Sequence, residues 1–386
     1  MRISNERPTF RGVDRAMLLT VLLLLFYGSV MVFSASGPYA ESNHGDALYY
    51  AKRQVFWSAI GIAGMLACAA APAEWHKRYT APIGFSVALI LLVAVLFTGG
   101  SIKRWIDLGV FSIQPSELMK PMLILVMASY MEGAQGRIKR NGLYKFGIAD
   151  KRAFLSSSLH GVLIPTAMVF AVCVLIMLEN HFSGTLITFC IGAIVIFSGG
   201  AMLRWFAGAG ALACAAVFFV LFGTDYASER IDIWLHPESF SVTDETWQIT
   251  QGLIAIGSGG IFGTGLGNGI QKQLFVSAAH NDFIFSIVCE ELGLVGAVLL
   301  IALFVAYASR GIRLAQETET LFASLCAVGI VGHVALQAFL NIGVVTGTIP
   351  NTGVTLPFFS YGGSALVVLL CEAGILLSVT KKEIRR

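Results

Sequence analysis

Long apolar runs separated by short polar breaks dominate this chain. A membrane-spanning helix needs about 20 apolar residues. Runs of that kind recur at roughly 16–36, 55–72, 82–98, 115–131, 159–178, 184–199, 204–222, 283–308, 321–342 and 363–380. The pattern predicts an all-α polytopic membrane protein with about ten transmembrane helices. The longest polar break, residues 224–282, falls between the seventh and eighth runs and is expected to form a large extracytoplasmic loop. No soluble domain, extended linker or internal repeat interrupts the pattern, so residues 1–386 read as one membrane domain. The first run, Ala16–Val32, is too long for the core of a cleavable signal and lacks a small-residue cleavage site, so it reads as a signal anchor and first span.

Composition agrees with this class. The chain is 56% hydrophobic and 13% charged, against about 25% charged in a typical soluble domain. The seven cysteines, Cys68, Cys173, Cys190, Cys214, Cys289, Cys326 and Cys371, all lie in apolar stretches without metal-ligand spacing. They read as small hydrophobes rather than as a disulfide framework.

Basic residues set the orientation. With an even number of spans both termini share a side, and that side collects 19 of the 26 Lys and Arg residues, including Arg2, Arg7, Arg11, Arg15, the run from Arg137 to Arg152, and the last residues from Lys381 to Arg386. The opposite side holds Lys52, Arg53, Lys103, Arg104, Arg230 and Lys272. Both termini are therefore expected in the cytoplasm, and residues 224–282 outside.

Candidate chemistry is sparse and sits at the breaks. Asp282, in Ala278-Ala279-His280-Asn281-Asp282-Phe283-Ile284-Phe285, stands where the large loop re-enters an apolar helix. A carboxylate there is either a helix N-cap or a functional group, because charge in hydrocarbon is costly. Glu290 and Glu291 follow in the same helix. The break 98–114 carries Lys103, Arg104 and Trp105, a set that suits either an interfacial anchor or a phosphate-facing site. Glu117 and Lys120 share a helix face at i, i+3 and can pair. His181 belongs to a residue type that titrates near neutrality when unperturbed, although a hydrogen-bonded turn histidine is the plainer reading. His333, Gln337 and Asn341 give one apolar helix a polar face, and Glu372, in the middle of the last run, needs a partner. The glycine-rich run from Gly257 to Gly269 does not match a dinucleotide fingerprint in register and has no βαβ context, so it suits close backbone packing.

Lys103-Arg104-Trp105-Ile106 with Gln114-Pro115-Ser116-Glu117-x-x-Lys120, His280-Asn281-Asp282-Phe283-Ile284-Phe285 with Glu290-Glu291-Leu292-Gly293, and Gly347-Thr348-Ile349-Pro350 with Leu356-Pro357-Phe358-Phe359-Ser360-Tyr361-Gly362-Gly363-Ser364 lie along the chain in this order. With the ten-span layout they resemble the SEDS family (shape, elongation, division and sporulation; FtsW, RodA and SpoVE type) over nearly the whole chain. One departure is Asn180, where the family commonly has proline before Asp or His. Asn281 and the short termini point to the FtsW/SpoVE side.

The resemblance implies a peptidoglycan glycosyltransferase that polymerises lipid II into β-1,4 glycan strands, working with a class B penicillin-binding protein in the bacterial cytoplasmic membrane. It implies Asp282 as the essential carboxylate and Trp105 as a functional residue. Lys103, Arg104, Trp105, Glu117, Lys120, His280 and Ser360 are the expected substrate-binding set. No metal ligand set and no nucleic-acid partner are expected. Divalent Mg or Mn is the one cofactor that would suit a pyrophosphate substrate. A lipid II flippase or a non-catalytic scaffold is the alternative. A flippase calls for charges spread along a transbilayer path, whereas Asp107, Glu179, Asp282, Lys103 and Arg104 all fall on the predicted outer side.

Overall fold

A computed structural model describes residues 12–97, 104–107, 109, 112–139, 151–202, 204–208, 234 and 244–381. The chain is a bundle of helices. They are α1 (Arg15–His44), α2 (Tyr49–Ala70), α3 (Ala73–Val95), α4 (Pro115–Lys139), α5 (Phe154–Leu178), α6 (Phe182–Ser198), α7 (Asp244–Ser258), α8 (Ile284–Glu317), α9 (Leu321–Val345) and α10 (Gly363–Val379). Two short strands, β1 (Ile106–Asp107) and β2 (Ser112–Ile113), pair antiparallel ahead of α4.

The elements answer to local sequence. The Asp14 carboxylate accepts from the Met17 N–H at 2.8 Å and starts α1, and Gly45 ends it in the left-handed region at φ 66°. Between them α1 has 30 residues, or about 45 Å, against a hydrocarbon core of about 30 Å. Its last turns therefore project past the apolar span, and it continues through Pro38. The Thr320 hydroxyl accepts from the Ala323 N–H and starts α9. Proline opens α4 at its first position, where the missing N–H costs nothing.

Packing divides the bundle into a centre and a shell. α9 lies against α4, α6 and α8; α4 lies against α3 and α6 as well. Met119, Leu123, Ile124, Leu125, Met127, Ala128 and Met131 of α4 are fully enclosed. α2 packs on α1 and α10, and α1 on α8. The outer helices turn large apolar side chains away from the bundle, with Phe26 70%, Ile90 67% and Phe170 65% exposed. That distribution needs lipid rather than water around it. Among the described residues, α1, α2, α3, α5, α8 and α9 are long and apolar enough to cross a membrane, and α6 and α10 are shorter apolar helices. The protein is an all-helical, polytopic membrane protein. The expected span at 204–222 lies mostly outside the described residues, of which only 204–208 are seen there, in a helix.

The glycine-rich segment has a structural task. α8 breaks at Gly293, whose φ and ψ are 64° and −162°. The break frees two carbonyls before it and two N–H groups after it, and the segment after α7 pairs all four. Thr264 N–H donates to Glu290 O at 2.9 Å and Gly265 N–H to Glu291 O at 3.0 Å. Leu294 N–H donates to Gly260 O at 2.9 Å and Val295 N–H to Ile261 O at 3.1 Å. Glycine is required where the backbones touch: a Cβ at Gly263 would stand 2.1 Å from the Glu291 carbonyl oxygen.

Glu290 and Glu291, expected as further site candidates, are spent on the same joint. Glu290 Oε1 accepts from the Ile270 N–H at 2.7 Å and the Gln271 N–H at 3.1 Å. Glu291 pairs with Lys272 at 2.6 Å and accepts from the Ser34 hydroxyl at 2.5 Å and the Gly267 N–H at 3.1 Å. Both carboxylates are buried.

Candidate active site

A cavity of about 630 Å³ opens at the end of the bundle where α1 hands over to α2, α5 to α6, and the large loop to α8. Asp282, Arg53, Arg104, Trp57, Trp105, Glu117, Lys120, His181 and Gln337 are on its wall, together with Tyr49, Tyr50 and Tyr361.

The backbone around Asp282 is held at three successive carbonyls. Tyr361 N–H donates to His280 O at 2.9 Å. The Ser360 hydroxyl donates to Asn281 O at 2.7 Å. The Asn341 amide donates to Asp282 O at 2.7 Å and to Val354 O at 2.6 Å, tying Asp282 to the uncharged 350–362 loop. Asp282 is not the cap of α8: the N-cap position is Phe283, and no side chain caps it. Burial raises the carboxyl above its ordinary value, and hydrogen bonds from the N–H groups of Asp282 and Phe283 oppose that rise.

Two guanidiniums share the wall with it. Arg104 donates through Nε to Glu179 O at 3.4 Å and through Nη2 to Asn180 O. Asn180 sits at φ 57°, a conformation asparagine tolerates and proline cannot adopt. Arg53 lies over the Tyr49 ring at 4.8 Å and reaches the Tyr361 hydroxyl. Among the described residues no ion pair engages Asp282, Arg53 or Arg104.

The floor is a polar chain. Lys120 pairs with Glu117 at 2.8 Å and donates to Gln337 Oε1 at 3.3 Å. His333 joins Gln337 Oε1 through Nε2 at 2.9 Å and the Glu372 carboxylate through Nδ1 at 2.9 Å. Glu372 thus has the partner its place in an apolar helix requires.

The expected site residues separate into groups. Asp282, Arg104, Trp105, Glu117 and Lys120 come together in the cavity. Lys103 lies outside the described residues. His280 is buried behind the wall, packed against Tyr50 at 4.3 Å and Tyr39 at 5.1 Å, and is not part of the lining. Ser360 holds backbone, since its hydroxyl also accepts from the Leu356 N–H at 2.7 Å. Burial pushes both His280 and His181 down to about 4, so His181, near Ser116 Oγ at 3.3 Å, is neutral at neutral pH rather than poised to titrate there. The residues missed are Arg53, Tyr49, Tyr50 and Trp57. Their signal was a tyrosine pair and an arginine opening a helix, which a count of loop charges does not weigh. Among the described residues no three His, Cys, Asp or Glu side chains converge on one point.

A carboxylate and two guanidiniums that have no ion-pair partner among the described residues line a cavity at one end of a multi-pass bundle, an arrangement that suits a membrane enzyme. The chain belongs to the cell cycle protein family of FtsW, RodA and SpoVE, whose match covers residues 14–385. It is 36% identical to the probable peptidoglycan glycosyltransferase FtsW of Geobacter sp. (strain M18), over 96% of this chain and 97% of that one. It is 35% identical to the stage V sporulation protein E of Bacillus subtilis (strain 168), over 95% and 97%. Among solved structures it matches a chain of a peptidoglycan synthase complex, with TM-score 0.74 and 25% identity over 97% of this chain and 99% of the other. It also matches the rod shape determining protein RodA of Thermus thermophilus, with TM-score 0.67 and 25% identity over 97% and 98%.

Proposed function

We propose that this protein is a peptidoglycan glycosyltransferase that polymerises lipid II, with Asp282 as the general base. The observation that carries the assignment is Asp282 itself: clamped by its backbone, without a cation partner among the described residues, and facing a cavity that also presents Arg53 and Arg104. The acceptor sugar's 4-hydroxyl oxygen attacks C1 of the donor sugar, and its proton passes to the Asp282 carboxylate. The bond from C1 to the pyrophosphate breaks with its electron pair on the leaving oxygen. The α-linked pyrophosphate leaves and a β-1,4 linkage forms. A positioned base contributes about 10²–10⁴-fold in rate, and a raised carboxyl is the stronger base. Arg53 and Arg104 place delocalised positive charge where the departing diphosphate develops its own, and Trp105, at the rim, orients the substrate.

The cavity end faces outward and both termini lie in the cytoplasm, in a ten-span topology with the large loop between spans seven and eight. Arg15, Lys77, Arg78, Arg310, Arg313 and Lys381 support that orientation, since the helix ends that carry them lie opposite the cavity. The partner is a class B penicillin-binding protein. A solved relative sits in a complex that coordinates polymerization with crosslinking, and the same division of labour fits here.

The test is polymerisation of fluorescent lipid II by purified protein with its penicillin-binding partner, the latter inactivated for crosslinking. Asp282→Asn lowers turnover by at least about 10²-fold, in line with loss of a general base, while its melting temperature stays at the wild-type value. A folded, active Asp282→Asn removes Asp282 from the mechanism. An inactive wild type overturns the transferase assignment.

A further inference from the structure

The polar chain beneath the cavity has a fixed direction. The Gln337 amide nitrogen donates to Thr355 O at 3.1 Å and to Thr355 Oγ1 at 3.0 Å. A backbone carbonyl only accepts, so the amide NH2 faces Thr355 and Oε1 faces the bundle interior. That oxygen in turn only accepts, so His333 Nε2, 2.9 Å away, carries a proton. His333 Nδ1 lies 2.9 Å and 3.0 Å from the two Glu372 oxygens. One more proton is shared across that contact, and the His333–Glu372 pair is neutral overall whichever partner holds it. Lys120 and Glu117 cancel in the same way. Four of these side chains are nearly sealed, with exposures of 2% for Lys120, 2% for His333, 5% for Gln337 and 1% for Glu372. The chain is therefore satisfied, uncharged as a whole, and meets the cavity where Glu117, Lys120 and Gln337 are on the wall.

The Lys120 ammonium has three hydrogens. One goes to Glu117 at 2.8 Å and one to Gln337 at 3.3 Å. Among the described residues no protein acceptor takes the third, and Lys120 is on the cavity wall. A lysine ammonium on a flexible stem holds a direction only if its other donors are fixed. Glu117 fixes one. Gln337 fixes the second, and Gln337 is itself held between Thr355 and His333.

We propose that His333 and Glu372 are positioning residues for the transferase site: they lock the Gln337 carbonyl so that Lys120 aims its free donor at an anionic oxygen of the substrate. The inference rests on the transferase reading above. Neither residue touches the cavity. Their effect runs through Gln337 to Lys120 and is read in KM more than in stability.

The test is the same lipid II polymerisation with partner present, measured as kcat and KM. Glu372→Gln stays within about threefold of wild type, because its amide can donate to a neutral Nδ1 while Nε2–H still reaches Gln337. Glu372→Leu breaks the lock and lowers kcat/KM about tenfold, mostly through KM, the scale of one lost hydrogen bond. Lys120→Met together with Glu372→Leu is no worse than Lys120→Met alone, because both act through one donor. Should Glu372→Leu fail to fold, Gln337→Met tests the same link at similar volume. Wild-type kinetics in Glu372→Leu or Gln337→Met, losses that multiply in the double variant, or a Glu372→Gln as damaged as Glu372→Leu would each overturn the proposal. An inactive wild type would instead overturn the transferase reading, which keeps the two failures distinct.

Discussion

At the scale of single residues, burial separates three groups near the cavity that a sequence treats alike. Asp282 is raised above an ordinary aspartate by burial. A base must be unprotonated, so activity falls as pH drops through its raised value. The acid limb of kcat/KM for lipid II polymerisation is expected above the ordinary aspartate value of about 3.9. His181 and His280 do not charge until about pH 4, so a limb between those values and neutrality belongs to a carboxylate. A limb at or below the ordinary aspartate value would remove the role of burial. Glu179 is the third group: burial pushes its carboxyl up to about 8, with Arg104 opposing, and among the described residues neither of its oxygens has a hydrogen-bond partner. Its folded value lies above its unfolded one, so the stability it contributes is present below the unfolded value and is lost as pH rises to about 8. Glu179→Gln is neutral at every pH. Its melting temperature should exceed wild type by a margin that grows from pH 5 to about 8 and then levels off; a margin that shrinks with pH would contradict a raised carboxyl.

Among elements, the joint between α8 and the glycine-rich segment shows what the sequence displayed and what it concealed. Apolar runs located nearly every helix, because a span of hydrocarbon dictates run length. They missed the far end of α1, which runs on through Pro38 to His44 after the apolar signal has ended. They also missed what Glu290 and Glu291 do, since a carboxylate in an apolar helix reads as chemistry until its partners are seen. Those partners, Lys272, Ser34 and the N–H groups of Gly267, Ile270 and Gln271, are distant or adjacent in sequence without pattern. The joint makes a clear expectation. Lys272→Met leaves the fully buried Glu291 carboxylate without its cation and destabilises the protein by about 3–5 kcal/mol, whereas Lys272→Met with Glu291→Gln recovers most of the loss. Thermal unfolding in detergent reads both. Equal losses in the single and double variants would show that packing, not charge, holds the joint.

For the whole molecule, one end of the bundle holds the candidate site and the other is tied by side-chain bonds. The end of α1 and the starts of α2, α4, α8 and α10 surround the cavity. The opposite end is tied by Arg310 to Asp14, by Lys77 to Glu132 at 2.5 Å, and by the Ser378 hydroxyl to Ala71 O at 2.5 Å. Asp282 was legible from its place at a polar–apolar boundary. Arg53 was not, because it becomes a cavity residue only when α2 folds back on α1 and brings it beside Tyr361. The sequence's charge asymmetry and the fold now make one joint prediction about direction. Ser42, exposed at the cavity end, and Glu319, exposed at the turn between α8 and α9, sit at opposite ends of the bundle. The described native cysteines are buried or half-buried, which keeps background labelling low. In intact cells, a membrane-impermeant maleimide that reaches the outer face of the cytoplasmic membrane should label Ser42→Cys and spare Glu319→Cys; permeabilised membranes should label both. The reverse pattern would put the cavity and Asp282 in the cytoplasm, on the face where lipid-linked precursors are made rather than where glycan strands grow, and the polymerase assignment would fall with it.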